Sequence, residues 1–299
     1  MPGITSLQHL ASDGATCLVL TTGDIIVVQA ETSPGEERIK IIGTVDDGIE
    51  AAEWSVDKES LAIVSSAGSL LLFDLSYDLL SETVFTPEDL KASKAVSVGW
   101  GKKETQFQGK RTRTLRDPTV PEMVDSGAIS SSDDGETTIS WRGDSGFLAV
   151  SSRLGSERRV IRVFSREGIL DGVSEAVDGL EAGLSWRPEG NIIAGIQREA
   201  SRLRVIFFER NGLRHGEFDL RLGQDEMSTW GRSVRLSWNH SSTVLAVQFV
   251  DRVQLWTMGN YHYYLKQEIF HSSKHSASKM IGTIWHPESD LCLGLYDAG

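Results

Sequence analysis

The chain has 299 residues, of which 24% are charged and 39% are apolar, as expected for an ordinary globular domain. Its net charge of −12 at pH 7 argues against a surface that binds polyanions over its whole extent. The two cysteines, Cys17 and Cys292, are too few for a disulfide framework or a metal quartet, and they favour a reducing compartment.

Neither a membrane span nor a secretory signal is visible. No stretch reaches the roughly 20 consecutive apolar residues that cross a bilayer. The N-terminus has no basic segment followed by an apolar run. We therefore expect no membrane contact and a cytoplasmic protein that also has access to the nucleus.

Six of the eight tryptophans recur at intervals of 41 to 52 residues, which is the period of a four-stranded propeller blade. They are Trp54, Trp100, Trp141, Trp186, Trp238 and Trp285. Apolar or β-branched residues stand two and four positions before most of them, an alternation that turns one side of a strand into a core. Four of them are followed after eight residues by an alanine, small enough for neighbouring blades to approach closely: Ala62, Ala149, Ala194 and Ala246. The sequence therefore predicts an all-β, seven-bladed β-propeller of the WD-repeat type with incomplete terminal blades.

In chain order, the predicted blades cover residues 6–48 (partial), 49–95, 96–135, 136–180, 181–232, 233–279 and 280–299 (partial). In the first, 17–20 and 24–28 form a hairpin, followed by a strand near 39–42. The blade at 96–135 lacks the repeat alanine, and its polar residues predict a flexible loop insertion over 109–134. The last blade holds about two strands, so either terminal strands are exchanged or the chain is a piece of a longer one. We favour the second interpretation.

Motifs of catalysis or of metal binding are weak. No Gly-x-Ser-x-Gly turn, phosphate-binding loop or dinucleotide-binding loop is present, so we expect no enzyme activity, no cofactor and no small-molecule substrate. His271 and His275 have a spacing that suits zinc on a helix, but no third ligand is near and the surrounding residues are typical of a solvated loop. The adhesion tripeptide Arg142-Gly143-Asp144 follows Trp141, where sister blades place turns, and we predict a turn there.

Six basic residues lie within 15 positions and are opposed by Glu104 alone. They are Lys102, Lys103, Lys110, Arg111, Arg113 and Arg116. On an acidic chain this cluster is a candidate contact for RNA phosphates or for a partner protein. A solvated loop has the same composition, so three interpretations remain open.

A second candidate surface is the tyrosine-rich segment 256–266. It carries Tyr261, Tyr263 and Tyr264 beside the predicted turn at Gly259-Asn260. Large rigid aromatic side chains supply much of the energy at protein interfaces. They are equally common inside sheets, so this segment is either a partner interface or part of a blade core.

Four strings go beyond a generic propeller. They are VGWGKKETQF at 98–107, WRGD at 141–144, FFERNGLRHG at 207–216 and VQLWTMGNYHYYLKQ at 253–267. In order and spacing they resemble the scaffold (largest) subunit of the Elongator complex, the elongator complex protein 1 or IKAP family. The resemblance spans about residues 41 to 284.

The resemblance implies that the chain is most of the first N-terminal WD-repeat propeller of that subunit. In that family a separate catalytic subunit, a radical-SAM and acetyltransferase-like enzyme, modifies the wobble uridine (U34) of tRNA anticodons. The resemblance therefore implies a non-catalytic scaffold whose partners are other Elongator subunits, including the catalytic one, with tRNA as a candidate contact. The alternative function is an RNA-binding module that uses the basic loop 102–116.

Overall fold

Regular structure in this chain consists almost wholly of antiparallel strands. The computed structural model describes residues 3–12, 14–31, 37–92, 125–222, 234–270 and 280–296. Their strands form six sheets, in which each strand pairs with the next one along the chain. Five sheets have four strands and the sixth has two, and we number these sheets as blades 1 to 6 in chain order.

The strand bounds follow the predicted periodicity. Blade 1 contains β1 (Ile4–Leu10), β2 (Ala15–Leu20), β3 (Asp24–Gln29) and β4 (Ile39–Thr44). Blade 2 contains β5 (Ile49–Trp54), β6 (Ser60–Ser65), β7 (Ser69–Asp74) and β8 (Leu79–Val84). Blade 3 contains β9 (Thr138–Trp141), β10 (Phe147–Leu154), β11 (Arg158–Ser165) and β12 (Leu170–Val173). Blade 4 contains β13 (Leu180–Trp186), β14 (Ile192–Glu199), β15 (Arg202–Glu209) and β16 (Arg214–Asp219). Blade 5 contains β17 (Arg235–Trp238), β18 (Val244–Gln248), β19 (Arg252–Gly259) and β20 (His262–Phe270), and blade 6 contains β21 (Met280–Trp285) and β22 (Cys292–Tyr296).

The blades are arranged around a centre formed by the first strand of each sheet. Contacts join β1 to β5, β5 to β9, β9 to β13 and β13 to β17. The second strand of blade 2 lies between two neighbouring sheets, and this strand, β6, is buried along its whole length. Its Leu, Ala, Ile and Val residues suit a strand that is covered on both faces.

Neighbouring blades meet where the tryptophan of one blade packs near the alanine of the blade before it. Trp141 lies in the same buried cluster as Ala62, and Trp186 lies in the same cluster as Ala149. The pairs Trp238 with Ala194 and Trp285 with Ala246 repeat this arrangement in the next two interfaces. The predicted roles of these tryptophans and alanines are confirmed, while Trp100 lies outside the described residues.

One predicted blade assignment needs correction, and a second falls mostly outside the described residues. The first blade is complete, because β1 pairs with β2 and brings the sheet to four strands. Residues 96–124 of the blade predicted at 96–135 lie outside the described residues. Blades 2 and 3 touch directly, since Trp141 donates its indole N–H to the carbonyl of Glu53 at 3.2 Å. Within the described part of that range, 125–135, a single bridge from Ala128 to Arg158 is formed and no strand.

Blade 1 and blade 6 each leave one aliphatic face uncovered. In blade 1, Leu7, Leu18, Ile26 and Ile41 are cross-strand partners in succession and therefore share a face. The outer members of this row, Leu7 and Ile41, are exposed. In blade 6 the cross-strand pair of Ile284 and Leu293 is likewise exposed. The opposite face of each blade packs against its neighbour.

We predict that enlarging a repeat alanine separates two blades. Ala194→Leu places a larger side chain in the fully buried cluster that holds Trp238. Overpacking of this kind costs roughly 1–3 kcal/mol of unfolding free energy, measurable by urea denaturation. Ala30→Leu, at an exposed position, is the matched control and should change stability by less than about 0.5 kcal/mol. Equal stability of the two variants would contradict the packing argument.

Candidate functional site

The tripeptide Arg142-Gly143-Asp144 forms a turn, as predicted. Arg142 pairs with Asp144 at 2.7 Å, and its guanidinium lies 4.5 Å from the ring centre of Phe147. Gly143 donates its N–H to the carbonyl of Pro188 at 3.2 Å. The arginine and the aspartate are therefore engaged with each other, and the turn joins blade 3 to blade 4.

A cavity of about 560 Å³ lies at the centre, where the innermost strands begin. Its wall is formed by the first residues of β5, β13 and β17, by the segment 132–134, and by 136–140, which runs into β9. Carboxylates predominate over cations among the lining residues, which include one arginine, Arg235. The acidic lining residues are Glu50, Glu53, Asp133, Asp134, Glu136 and Glu181. Glu50 accepts a hydrogen bond from the Thr137 hydroxyl at 2.6 Å, which links β5 to the segment that enters β9.

Glu53 is the most perturbed of the cavity carboxylates. Glu53 is exposed to the cavity, where the surrounding innermost strands reduce the hydration of its carboxyl. Burial raises the pKa of Glu53 to about 7, against the opposing effect of the positive charge on Lys58. The group therefore changes its charge near neutral pH.

The segment 125–134, which is the described part of the predicted loop 109–134, is packed against blades 3 and 4. The carboxylate of Asp178 accepts hydrogen bonds from the backbone N–H groups of Ser126 and Ala128, each at 2.9 Å. Farther along, the hydroxyl of buried Ser130 donates to Glu181 at 3.0 Å. Residues 109–124 of the predicted loop lie outside the described residues.

Asp133 anchors this segment through a fully buried ion pair. Arg159 on β11 donates two N–H groups to the Asp133 carboxylate at 2.5 and 2.9 Å, and both side chains have no exposed surface. A third N–H of Arg159 donates to the carbonyl of Glu136 at 2.9 Å. Burial alone would raise the pKa of Asp133, but the hydrogen bonds and charges of Arg159 and Arg153 outweigh it and hold the pKa below its ordinary value.

A second arginine of β11 anchors the short 3₁₀ helix Pro87–Ala92 that follows blade 2. Arg162, whose side chain is fully buried, donates to Asp89 at 2.8 Å and lies over the ring of Phe85 at 4.5 Å. Asp89 also accepts hydrogen bonds from the backbone N–H and hydroxyl of Thr86, the residue that caps this helix. We call Asp89, Asp133, Arg159 and Arg162 the arginine clamp, because it holds both described flanks of residues 93–124 on one strand.

The three predicted interface tyrosines separate into two groups. The ring of Tyr263 stacks on Phe207 and Phe218, with centroids 4.9 and 4.6 Å away, between blades 4 and 5. Burial raises the pKa of Tyr263 to about 12, against a smaller opposing effect of Arg187. Tyr263 is thus a core residue, whereas Tyr261 and Tyr264 are exposed. Alternation along β20 already placed Tyr263 opposite to Tyr264 and could have separated them.

The predicted basic contact residues and the predicted histidine pair lie outside the described residues. They are Lys102, Lys103, Lys110, Arg111, Arg113 and Arg116 in one case and His271 and His275 in the other. Within the described ranges, no three His, Cys, Asp or Glu side chains are grouped so that they could hold a metal ion. None of the helical segments described there is long and apolar enough to cross a membrane.

Successive antiparallel four-stranded sheets whose first strands surround a central cavity define a β-propeller. A family model described as the ELP1 first N-terminal β-propeller matches residues 2–288. The chain belongs to this family, which confirms the resemblance seen in the sequence.

The chain is also similar to curated relatives that carry the name Elongator complex protein 1. It is 47% identical over 289 residues to the one from Schizosaccharomyces pombe, covering 95% of this chain and 22% of the relative. The one from Saccharomyces cerevisiae is 44% identical over 332 residues, which cover 99% of this chain and 24% of that protein. The relative from Rattus norvegicus is 36% identical over 298 residues, or 95% and 21%. The chain thus spans less than a quarter of the length of each of these relatives.

Removal of the Asp133 carboxylate should destabilise the propeller strongly, because it leaves Arg159 buried without its partner. We expect Asp133→Ala to lower the unfolding free energy by roughly 3–5 kcal/mol in urea denaturation. Asp144→Ala, which removes a partly exposed ion pair, is the control and should cost about 1 kcal/mol or less. Similar losses of unfolding free energy in the two variants would show that the buried ion pair of Asp133 matters no more for stability than the partly exposed pair of Asp144.

The raised pKa of Glu53 gives the propeller a pH-dependent stability. The folded state favours the protonated carboxyl, so stability should fall as pH rises from the unfolded-state pKa near 4.5 through the folded value of about 7. We expect Glu53→Gln to match the native chain at pH 4 and to melt at a higher temperature at pH 8. Melting curves that stay parallel for both proteins between pH 4 and 8 would exclude this effect.

Proposed function

We propose that this propeller is a non-catalytic interaction module of the Elongator complex, and that it supports tRNA wobble-uridine modification by a separate catalytic subunit. The observation that carries the proposal is membership of the ELP1 propeller family over residues 2–288. The relatives in that family are themselves named as a protein of the Elongator complex.

The polar groups of the described residues favour a structural use over a chemical one. Asp133 and Asp89 are occupied by buried arginines, and Glu181 is paired with Arg198. A nucleophile or general base needs a partner that is free to exchange a proton with a substrate. Groups committed to ion pairs of this kind instead fix the blades relative to one another.

Turns at the far ends of the innermost strands join successive blades into one rigid support. The N–H of Asp57 in blade 2 donates to the Ser145 hydroxyl of blade 3 at 3.1 Å. The N–H of Glu189 in blade 4 donates in the same way to the Ser242 hydroxyl of blade 5 at 2.8 Å. A support of this stiffness presents its loops and outer strands to partners with little loss of conformational entropy.

The outermost strand of blade 2 offers a surface suited to a protein partner. Leu79, Leu80 and Val84 on β8 are all exposed on the rim of the molecule. Clustered exposed apolar groups are typical of protein contacts. The pairing of β7 with β8 shifts by one residue at Leu80, so Leu79 and Val84 share one side of the strand with the exposed Glu82.

We expect the double change Leu79→Glu and Val84→Glu in the full-length subunit to weaken assembly of the complex. Two added charges in place of exposed apolar side chains should reduce recovery of the other subunits at least tenfold, about 1.4 kcal/mol. Glu82→Gln on the same side of β8 is the control and should leave recovery unchanged. The measurement is quantitative affinity purification through the tagged subunit. If assembly survives charge reversal at these residues and at every other exposed rim position, the interaction function is wrong.

RNA binding by the basic residues at 102–116 stands as a second candidate, favoured by their concentration in an otherwise acidic chain. Counterion release predicts that affinity for tRNA falls with salt, with a log–log slope close to the number of phosphates neutralised. Changing the six basic residues to glutamate should remove that slope in a filter-binding titration. A tRNA affinity that stays the same excludes this candidate.

A further inference from the structure

The hairpin between β19 and β20 ends in a turn with unusual residues. Asn260 and Tyr261 are its two central residues, with φ angles of 48° and 63°. Both values lie in the left-handed region, as in the type I′ turn that matches the twist of a hairpin. Asparagine suits the first position, but the second strongly favours glycine, because a Cβ is unfavourable there. Tyr261 therefore occupies a strained position.

A sister turn shows what normally offsets such strain. The hairpins of blades 2, 3 and 4 share a turn pattern and place Tyr77, Gly168 and Gly212 at positive φ. Two of these three residues are glycines. Tyr77 is the exception, and its ring packs edge to face on Trp54 with centroids 6.1 Å apart and planes at 87°. Contacts inside the propeller thus compensate the strain at Tyr77.

No comparable burial compensates the strain at Tyr261. Its side chain is 87% exposed at the end of the hairpin. Met258 and Tyr264 beside the turn are also exposed, each by 49%. We call Met258, Tyr261 and Tyr264 the tyrosine tip. Backbone strain that no contact within the molecule offsets is typical of a residue that makes contact with a partner molecule.

The charges around the tyrosine tip indicate the kind of partner. Residues 256–267 contain no aspartate or glutamate, although the chain has 42 acidic residues. Lys266, which is exposed, supplies the formal positive charge of this segment. One such charge is too little for a nucleic-acid backbone, which requires several phosphate contacts. It fits the rim of a protein pocket that bears carboxylates.

We propose that Tyr261 inserts into an apolar pocket with an acidic rim on another subunit of the Elongator complex. The proposal rests on the interaction function inferred above. A rigid aromatic ring at the centre of a contact supplies a large share of binding energy, while neighbouring apolar groups exclude water. Met258 and Tyr264 have the position of such neighbours.

The test exploits the opposite effects of Tyr261→Gly on the hairpin and on binding. Asn-Gly is the preferred sequence of this turn, so the change should slow amide hydrogen exchange in β19 and β20. In the full-length subunit assembled with the other purified Elongator subunits, it should lower the retention of at least one of them about tenfold. Tyr261→Phe, which keeps the ring, should retain every subunit as the native protein does.

Tyr77→Gly is the matched control at the sister position. It removes the packing against Trp54, so exchange in β7 and β8 should become faster while subunit retention stays the same. If the native protein retains no subunit, the proposed function itself fails. If the native protein and Tyr261→Gly retain all subunits equally, the tyrosine tip is not the contact. Loss of tRNA binding with full subunit retention in Tyr261→Gly would assign the tip to nucleic acid and overturn the proposal.

Discussion

Contact between a tryptophan of one blade and an alanine of the blade before it sets the distance between successive sheets. In three interfaces the indole lies in the same buried cluster as the alanine of the preceding blade, as for Trp186 with Ala149, and in a fourth the partly buried Trp285 packs against the cluster of Ala246. A methyl group leaves room for the ring, and the larger side chains around both complete the packing. At two interfaces the indole N–H also donates to the first strand of the preceding blade. Trp141 donates to the carbonyl of Glu53 on β5, and Trp285 donates to the carbonyl of Ser237 on β17. The cavity, the turns and the outer strands take their positions from these interfaces.

Buried ion pairs and hydrogen bonds fix the positions of neighbouring blades relative to one another. The arginine clamp brings two carboxylates, Asp89 and Asp133, against one strand of blade 3. An ion pair without solvent access gains little net stability over apolar packing, but it is demanding in geometry. It therefore defines where the chain leaves blade 2 and where it enters blade 3. Hydrogen bonds between the turns of successive blades define the opposite side in a similar way.

The sequence predicts the fold where a short-range pattern repeats along the chain. Trp54 and Trp141 occupy equivalent positions at the ends of β5 and β9, as their pattern predicts, whereas Trp100 lies outside the described residues. Strand β1 was missed because the residues of Ile4–Leu10 mix polar and apolar side chains on a half-covered face. The clamp could not be predicted, since Arg159 and Asp133 are 26 positions apart and Arg162 and Asp89 are 73 apart. The sequence places the turn at Gly259-Asn260, but its central residues are Asn260 and Tyr261. The exposure of Tyr261 at the turn therefore could not be predicted.

The described contacts run from each blade to the next, so the stability of a blade depends on the interfaces with its neighbours. An inner blade has two interfaces, whereas blade 6 contributes two strands and a single described interface. Strands that are held by fewer buried contacts open at a lower free energy. The hairpin that carries Tyr261 belongs to blade 5, directly beside blade 6. A ligand bound to this hairpin would therefore also slow the opening of β19 and β20 next to the two-stranded sheet.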